Sequence, residues 1–418
     1  MSGGFWKTIP NFRDKIIIQC NNKPLRLMNR CFCLCLMFVL PILLSGQDPF
    51  FIHFYGNESA FNPALVGFKG STSFSTKYKS QWAAGTVPAF RSAWVNFEES
   101  MPCNLLDYGL NLNYDEEGVG IFRTYDIGVK IAGTIPFDIG RSGNNIRLGL
   151  SLQSSVKTID FSRLIFSDQL DPKFGLVDVN GDPLPTGFVP PEETGSHSFF
   201  TPSVGFAYRV LLDTRNKRSP TLFFGAAVHN AYSLLKDPKT GHEESLLGIG
   251  TRIPSRYSFF LSMDLIPYLE KGGDFLSLKM MVFNQRQAGL QYWEAGGKLS
   301  LNRALAGGIF YHFNFPSEQG RNTNWITYTL ETGSRISKFN RVEVGFALSH
   351  NLSGLKNKVG PIFELTFSYH LGKSMICGFA NQDNDLTEDG LGCPTSAQTQ
   401  WRKKLYEGIW YKTTNKYK

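Results

Sequence analysis

An all-β fold, a transmembrane antiparallel β-barrel of about 14 strands in an outer membrane, is the fold class this sequence predicts, on three observations. Segments of about ten residues alternate apolar and polar positions from residue 72 to residue 371. Tilted membrane strands need about 9–11 residues, whereas strands of soluble sheets most often run about 5–6. Ionisable side chains keep to one face of nearly every segment, and the two longest connections leave on the same side. Composition agrees, because 42% hydrophobic and 14% aromatic residues with 41 glycines make a strand-forming, turn-rich mixture too aromatic for a disordered chain.

The first element is a leader, residues 1–46. The apolar run CFCLCLMFVLPILL, Cys31 to Leu44, follows Met28-Asn29-Arg30 and precedes Ser45-Gly46. It is too short to cross a bilayer and contains Pro41, while its basic start and small-residue end are those of a secretory signal cut near Gly46. Met28 offers a second start position. The chain's net charge of +8 is concentrated here, with six basic residues against Asp14; the remainder holds 37 basic and 34 acidic residues. A chain so balanced has no basic stripe, which excludes nucleic acid as a partner class.

Residues 47–71 follow as an N-terminal periplasmic segment carrying ESAFNPALVG, Glu58 to Gly67. Proline fixes its own φ and biases Asn62 toward extended geometry, so Asn62-Pro63-Ala64 forms a rigid elbow that aims Phe50 to Phe61 under or into the barrel. An ordinary strand-entry turn is the competing reading.

The barrel itself is expected over 72–371, with strands near 72–79, 90–98, 107–114, 124–135, 145–155, 200–211, 221–229, 255–265, 274–283, 289–300, 303–313, 324–333, 341–350 and 361–371. In DYGLNLNY, Tyr108, Leu110, Leu112 and Tyr114 share one face and Asp107, Gly109, Asn111 and Asn113 the other. TYDIGVKI and IRLGLSLQ divide in the same way, as do VEVGFALS and FELTFSYHL. The polar face carries Asp126, Lys130, Arg147, Arg209, Asp264, Lys279, Glu294, Lys298, Glu331, Glu343 and Glu364. A basic group facing lipid at mid-depth would cost roughly 2–4 kcal/mol, so this confinement describes a wet interior. An even strand number with both termini periplasmic sends the connections near 156–199 and 230–254 outward, where long loops belong. Pro136 to Asn144 and Leu301-Asn302 read as short inward-side connections.

A periplasmic tail, 372–418, closes the chain. Once the leader is removed Cys103, Cys377 and Cys393 remain, an odd number that permits at most one internal bridge; Cys377 and Cys393 could close the acidic DNDLTEDG, Asp383 to Gly390, into a loop. That stretch and DVNGD, Asp178 to Asp182, space oxygen ligands two apart but do not complete a calcium-binding loop pattern, and solvated turns are the favoured reading. His53, His197, His229, His242, His312 and His350 show no metal-ligand spacing. No nucleophile elbow or phosphate loop occurs, so neither a catalytic residue, a metal nor a cofactor is assigned and no enzyme is expected.

A start of the type QDPFF, then NPALVG, then a first strand ending in YKSQW, Tyr78 to Trp82, resembles the PorP/SprF family of type IX secretion system membrane proteins, in which an "NPA(y)AG" turn and a "Y(R/K)xQW" strand end recur. The resemblance marks Asn62, Pro63, Gly67, Gln81 and Trp82 as motif and partner candidates. It implies an outer-membrane barrel serving protein secretion, adhesin export and surface attachment in the Bacteroidetes group. The partners implied are periplasmic ring components of that machinery, a secreted adhesin or cargo protein, or both, besides the lipid bilayer. The long insertion after strand 5 and the tail from Gly372 depart from the family pattern. A channel for passive transport of small solutes is the runner-up, and a soluble β-sandwich adhesin the third reading.

Overall fold

A computed structural model describes residues 51–375 apart from 70–71, 83–89, 102–104, 119–121, 174, 190–195, 214–218, 235–252, 270–274, 288–289, 303, 315–323, 337–339, 354–359 and 372–374. Fourteen strands are present: β1 Thr72–Gln81, β2 Phe90–Met101, β3 Leu106–Glu117, β4 Phe122–Ile139, β5 Ser142–Ile159, β6 Ser196–Leu211, β7 Thr221–His229, β8 Arg256–Leu269, β9 Phe275–Gln287, β10 Leu290–Leu301, β11 Leu305–Phe313, β12 Trp325–Arg335, β13 Arg341–Asn351 and β14 Ile362–Leu371. Each pairs antiparallel with its chain neighbours, and β1 pairs with β14 from Thr72↔Leu371 to Gln81↔Ile362, closing a barrel without a free edge.

The period of two sets the two faces. Leu110 and Val129 are 50% and 48% exposed on the outer wall, while Asn111 and Lys130 between them are 2% and 6% exposed within. A soluble sheet would bury the leucine and expose the lysine, so the inversion marks an apolar exterior suited to lipid.

Two elements differ from expectation. β4 and β5 each run 18 residues and meet at a turn through Gly140, so the stretch from Pro136 to Asn144 is strand and hairpin rather than a connection. Thr134 donates its N–H to Leu105 O across the other edge of β4. Even-numbered positions here therefore aim away from β5, and the missing N–H of Pro136 removes no bond from the β4–β5 ladder. The long connection between β5 and β6 is shorter than expected, spanning 160–195.

Residues 51–69, part of the 47–71 segment whose elbow is expected to aim under or into the barrel, lie inside its lumen. They comprise a short helix, α1 (Glu58–Phe61), and a 3-10 turn over Pro63–Leu65. The hydrophobic core is there too. Phe54, Phe61, Leu65 and Phe68 pack against the inward aromatics Phe223, Phe260, Phe283 and Phe310 of β7, β8, β9 and β11. Desolvating these rings is worth roughly 1.5–3 kcal/mol each, which explains why the segment enters the barrel instead of hanging in water.

Candidate functional site

The lumen plug is built around the NPALVG turn. Asn62 adopts an extended backbone (φ −152°, ψ 117°), the geometry that a following proline favours, and its Oδ1 accepts from Ala64 N at 2.9 Å. Pro63 opens the 3-10 turn, where no N–H is required. The other end of the Asn62 amide donates from Nδ2 to Phe206 O at 2.9 Å and Ala226 O at 3.2 Å, pinning the turn to β6 and β7. Gly67 ends the turn at φ +64°, a region open to glycine, and donates its N–H to Glu98 Oε2 at 3.0 Å.

The wall is recessed to receive this turn. A Cβ on Gly149 would collide with the Pro63-Ala64 backbone, and one on Gly205 with the Asn62 amide oxygen. At Gly109 it would fall 2.6 Å from Val66 Cγ2, and at Gly225 2.9 Å from Asn62 Nδ2. Four inward glycines on β3, β5, β6 and β7 thus form one cradle, whose function is close backbone approach.

Charged wall residues then clasp the plug's main chain. Arg147 donates from Nε to Ala64 O at 2.7 Å and from Nη2 to Val66 O at 2.6 Å, and pairs with Asp107 at 2.7 Å. Thr134 accepts a fourth bond from Nη1 at 2.6 Å. The planar guanidinium supplies several donors in a fixed fork, which an ammonium could not match. Farther along, the Glu364 carboxylate accepts from the N–H groups of Ile52 and His53, while Lys77 Nζ donates to His53 O at 2.7 Å. Glu331 lies 3.1 Å from His53 Nε2 and 3.0 Å from Lys298 Nζ. That ammonium also sits 4.4 Å from the centre of the Tyr55 ring, a cation–π contact in a desolvated setting. Buried charges of this kind are tolerable because each is answered by an opposite charge or a main-chain dipole.

The structure brings Asn62, Pro63 and Gly67 together at the plug but places Gln81 and Trp82 at the other end of β1. Gln81 pairs with Phe90 and Ile362, and Trp82 takes a left-handed φ of 58° with its ring edge-on to Phe90 at 5.4 Å. Cys103, Cys377 and Cys393 lie outside the described residues, as does Asp383 to Gly390. Among the described residues no group of three or more His, Cys, Asp or Glu is placed to hold a metal ion. Asp178 directs Oδ1 to the N–H groups of Asn180 and Asp182 at 2.8 and 2.9 Å, which makes DVNGD a side-chain-capped turn. The Asp182 N–H holds the Asp178 carboxyl below the ordinary range.

Sequence reasoning missed the glycine cradle and the buried network of His312. His312 bonds Thr327 Oγ1 and Tyr292 OH, both at 2.6 Å, and Tyr292 donates to Glu294 at 2.9 Å. His312 and Thr327 are wholly buried, so the cluster braces β10–β12 and offers nothing to a substrate. One signal was available for the plug. Phe223-Phe224 and Phe259-Phe260 put an aromatic on both faces of a strand, which a water-filled interior does not need.

The inward face of β2–β6 carries many polar side chains. Above the plug a cavity opens between α1 and the inward side chains of β2–β6, and the connection 160–195 leaves from the same end. Asp168 in that connection accepts from Gly187 N at 2.6 Å, a bond that holds its carboxyl below the ordinary range. Phe166 stacks on Phe188 at 4.2 Å, whereas Ile165, Leu170, Val179 and Val189 are exposed.

Solved barrels share the general architecture at low similarity. Omp33 of Acinetobacter baumannii is 9% identical, with 72% of this chain and 99% of that chain covered at a TM-score of 0.32. A FadL homologue of Pseudomonas aeruginosa is 10% identical, covering 78% and 94% at 0.32. The translocator domain of the autotransporter NalP from Neisseria meningitidis is 6% identical, covering 83% and 97% at 0.29. Scores of this size carry no argument about function. No curated protein matches the chain. Residues 43–369 match the family described as type IX secretion system membrane protein PorP/SprF, a span that takes in the NPALVG plug and all but the last two residues of the barrel. With more than half of its length matched, the chain belongs to the PorP/SprF family of type IX secretion system membrane proteins.

Proposed function

We propose that this barrel is an accessory or cargo-specific component of type IX secretion that supports export or surface attachment of a secreted protein, rather than a conduit for solutes. The observation that carries this reading is that the family-motif turn occupies the lumen with the chain's own residues. Ala64, Leu65 and Val66 are at most 1% exposed at the barrel's centre, and the cradle leaves the turn no slack. Passive transport, the competing reading, requires a continuous water path at that level.

The remaining assignments follow from loop placement. The longest connections leave the Gln81 end, which is taken to face outward, so the Thr72 end and both termini face the periplasm. Residues 1–46 act as the export leader, and 372–418 stand on the periplasmic side with Cys377 and Cys393 available to bridge. Secreted cargo or adhesin meets the Gln81 end through the exposed apolar residues of 160–195. The periplasmic ring meets the Thr72 end, the end at which Gly67 bonds Glu98, itself paired with Ser73. Trp82 and Gln81 anchor the outer rim of β1, Trp82 as an interfacial aromatic.

The test is co-purification from detergent-solubilised outer membranes. Replacing Pro172 to Pro191 by a short Gly-Ser linker should leave insertion and heat-modifiable gel mobility intact while the secreted partner is lost. A loop-deleted protein that keeps every co-purifying protein and all surface attachment would move the partner site to the Thr72 end. If no secretion component or secreted protein accompanies the intact barrel, the functional reading fails.

A further inference from the structure

The register of β2 through β6 lays out a concave platform on the inner wall above the plug. Along one row Trp94 pairs with Asn113, Asn113 with Asp126, Asp126 with Ser155 and Ser155 with Phe199. The next row toward the plug runs Asn111, Gly128, Gln153 and Thr201. Four strand intervals of about 4.8 Å make this surface about 19 Å wide. It is framed by aromatic rings at both ends and floored by Ser59 to Phe61 of the plug. Asn113, Gln153 and Thr201 are partly exposed, so the platform is within reach of solvent.

Three polar atoms of this platform have no partner. Trp94 and Asn111 are each 2% exposed and line the cavity, yet Trp94 Nε1 and Asn111 Oδ1 make no hydrogen bond, nor does Asn113 Oδ1. Gly128 keeps the space clear for the Asn111 amide, whose Oδ1 would stand 2.5 Å from any Cβ added there. An unsatisfied buried donor beside two unsatisfied acceptors is unfavourable unless something enters to pair with them.

We propose that this platform is a binding site for a neutral, hydroxyl-rich ligand, a glycan residue, lying between Trp94 and Phe199. Each sugar hydroxyl both donates and accepts, as does each Asn and Gln side chain, so the match needs no net charge. The charged residues around the cavity point the same way. Lys130, Lys157 and Arg256 oppose an unbalanced cation, Asp115 and Asp126 oppose an unbalanced anion, and all five line the same cavity. Lys130 is already engaged, donating to Ser59 Oγ at 3.2 Å and lying 5.7 Å from the Trp94 ring centre. An apolar ligand would strand the amides. The proposal is independent of the secretion role, since it concerns only what the vestibule admits.

The test uses full-length protein in a non-glycosidic detergent, because a maltoside or glucoside would occupy the site. Neutral hexose, N-acetylhexosamine and deoxyhexose oligosaccharides are screened on an array, and the best binder is titrated calorimetrically. Purified lipopolysaccharide is titrated in parallel, which separates a free oligosaccharide from a lipid-borne glycan. Binding of at least one neutral glycan is expected, weakened about tenfold or more by Asn111→Leu and by Gln153→Leu, while both variants keep heat-modifiable mobility. Trp94→Phe, which keeps the ring but removes the N–H, should weaken binding without abolishing it. Absence of binding to every neutral glycan and to lipopolysaccharide would overturn the proposal. So would binding that survives both Leu variants, or an acidic peptide binding more tightly than any sugar.

Discussion

The plug and the 160–195 connection are both irregular in backbone, and they are held in opposite ways. Plug residues are bonded to wall residues distant in sequence: Ala64 to Arg147, Ile52 and His53 to Glu364, Asn62 to Phe206 and Ala226. Among the described residues of the 160–195 connection, Asp160 receives Ser162, Asp171 receives Lys173, Asp178 receives Asn180 and Asp168 receives Gly187, all from within the connection. A segment whose partners are spread over the whole barrel can form only when the barrel closes, so it is part of the fold. A segment that satisfies itself is an addition to the fold, free to serve an outside partner.

Removing Arg147 is the most disruptive way to probe this difference. Arg147→Leu leaves Asp107 charged and buried and strips bonds from Ala64 and Val66, an expected loss of about 3–5 kcal/mol. The readout is the temperature at which the folded gel band disappears. Phe54→Ala follows at about 3–5 kcal/mol, since the ring lies 5.3 Å from Phe260 and 5.6 Å from Phe283 and its cavity cannot collapse between rigid strands. Overpacking should cost less: Gly205→Ala pushes against Asn62, with about 1–3 kcal/mol expected and increased protease cutting within 51–69 as a second readout.

Changes in the connection should barely register in the same assays. Asp168→Asn should leave the folded band unchanged while protease cutting of 160–195 increases. The carboxyls of Asp168 and Asp178 are held below their ordinary values by N–H bonds from Gly187 and Asp182. Their contribution to loop order is therefore complete above the ordinary aspartate range and is lost as pH falls through the depressed values. Proteolysis of the connection should rise on acidification over that window, with plug cutting unchanged. Equal sensitivity of both segments to acid would erase the distinction drawn here.

The barrel was legible in the sequence because its signal is local. Tyr108, Leu110 and Leu112 alternate with Asp107, Gly109 and Asn111 whatever the rest of the chain does, and the same rule gave the strand near 361–371. The stretch through Pro136 reads as a connection because proline disfavours a central strand; the hairpin tolerates it because the missing N–H lies on the edge of β4 that faces away from β5. The NPALVG turn was recognisable as an elbow aimed under or into the barrel, without a choice between the two. What fixes the choice is a set of glycines at positions 109, 149, 205 and 225, each ordinary alone and meaningful only once the register aligns them. The charged residues read as lining a wet interior are inside, yet several of them grip a peptide rather than face water, a difference no period can express.

Planar-bilayer conductance of the purified protein tests the central claim, that the chain's own N-terminal segment closes its barrel. Intact protein should show no steady current, and a variant lacking residues 51–69 should show a stable ohmic conductance in the same lipid. A steady open current from the intact protein, equal to that of the shortened variant, would contradict a lumen filled by residues 51–69.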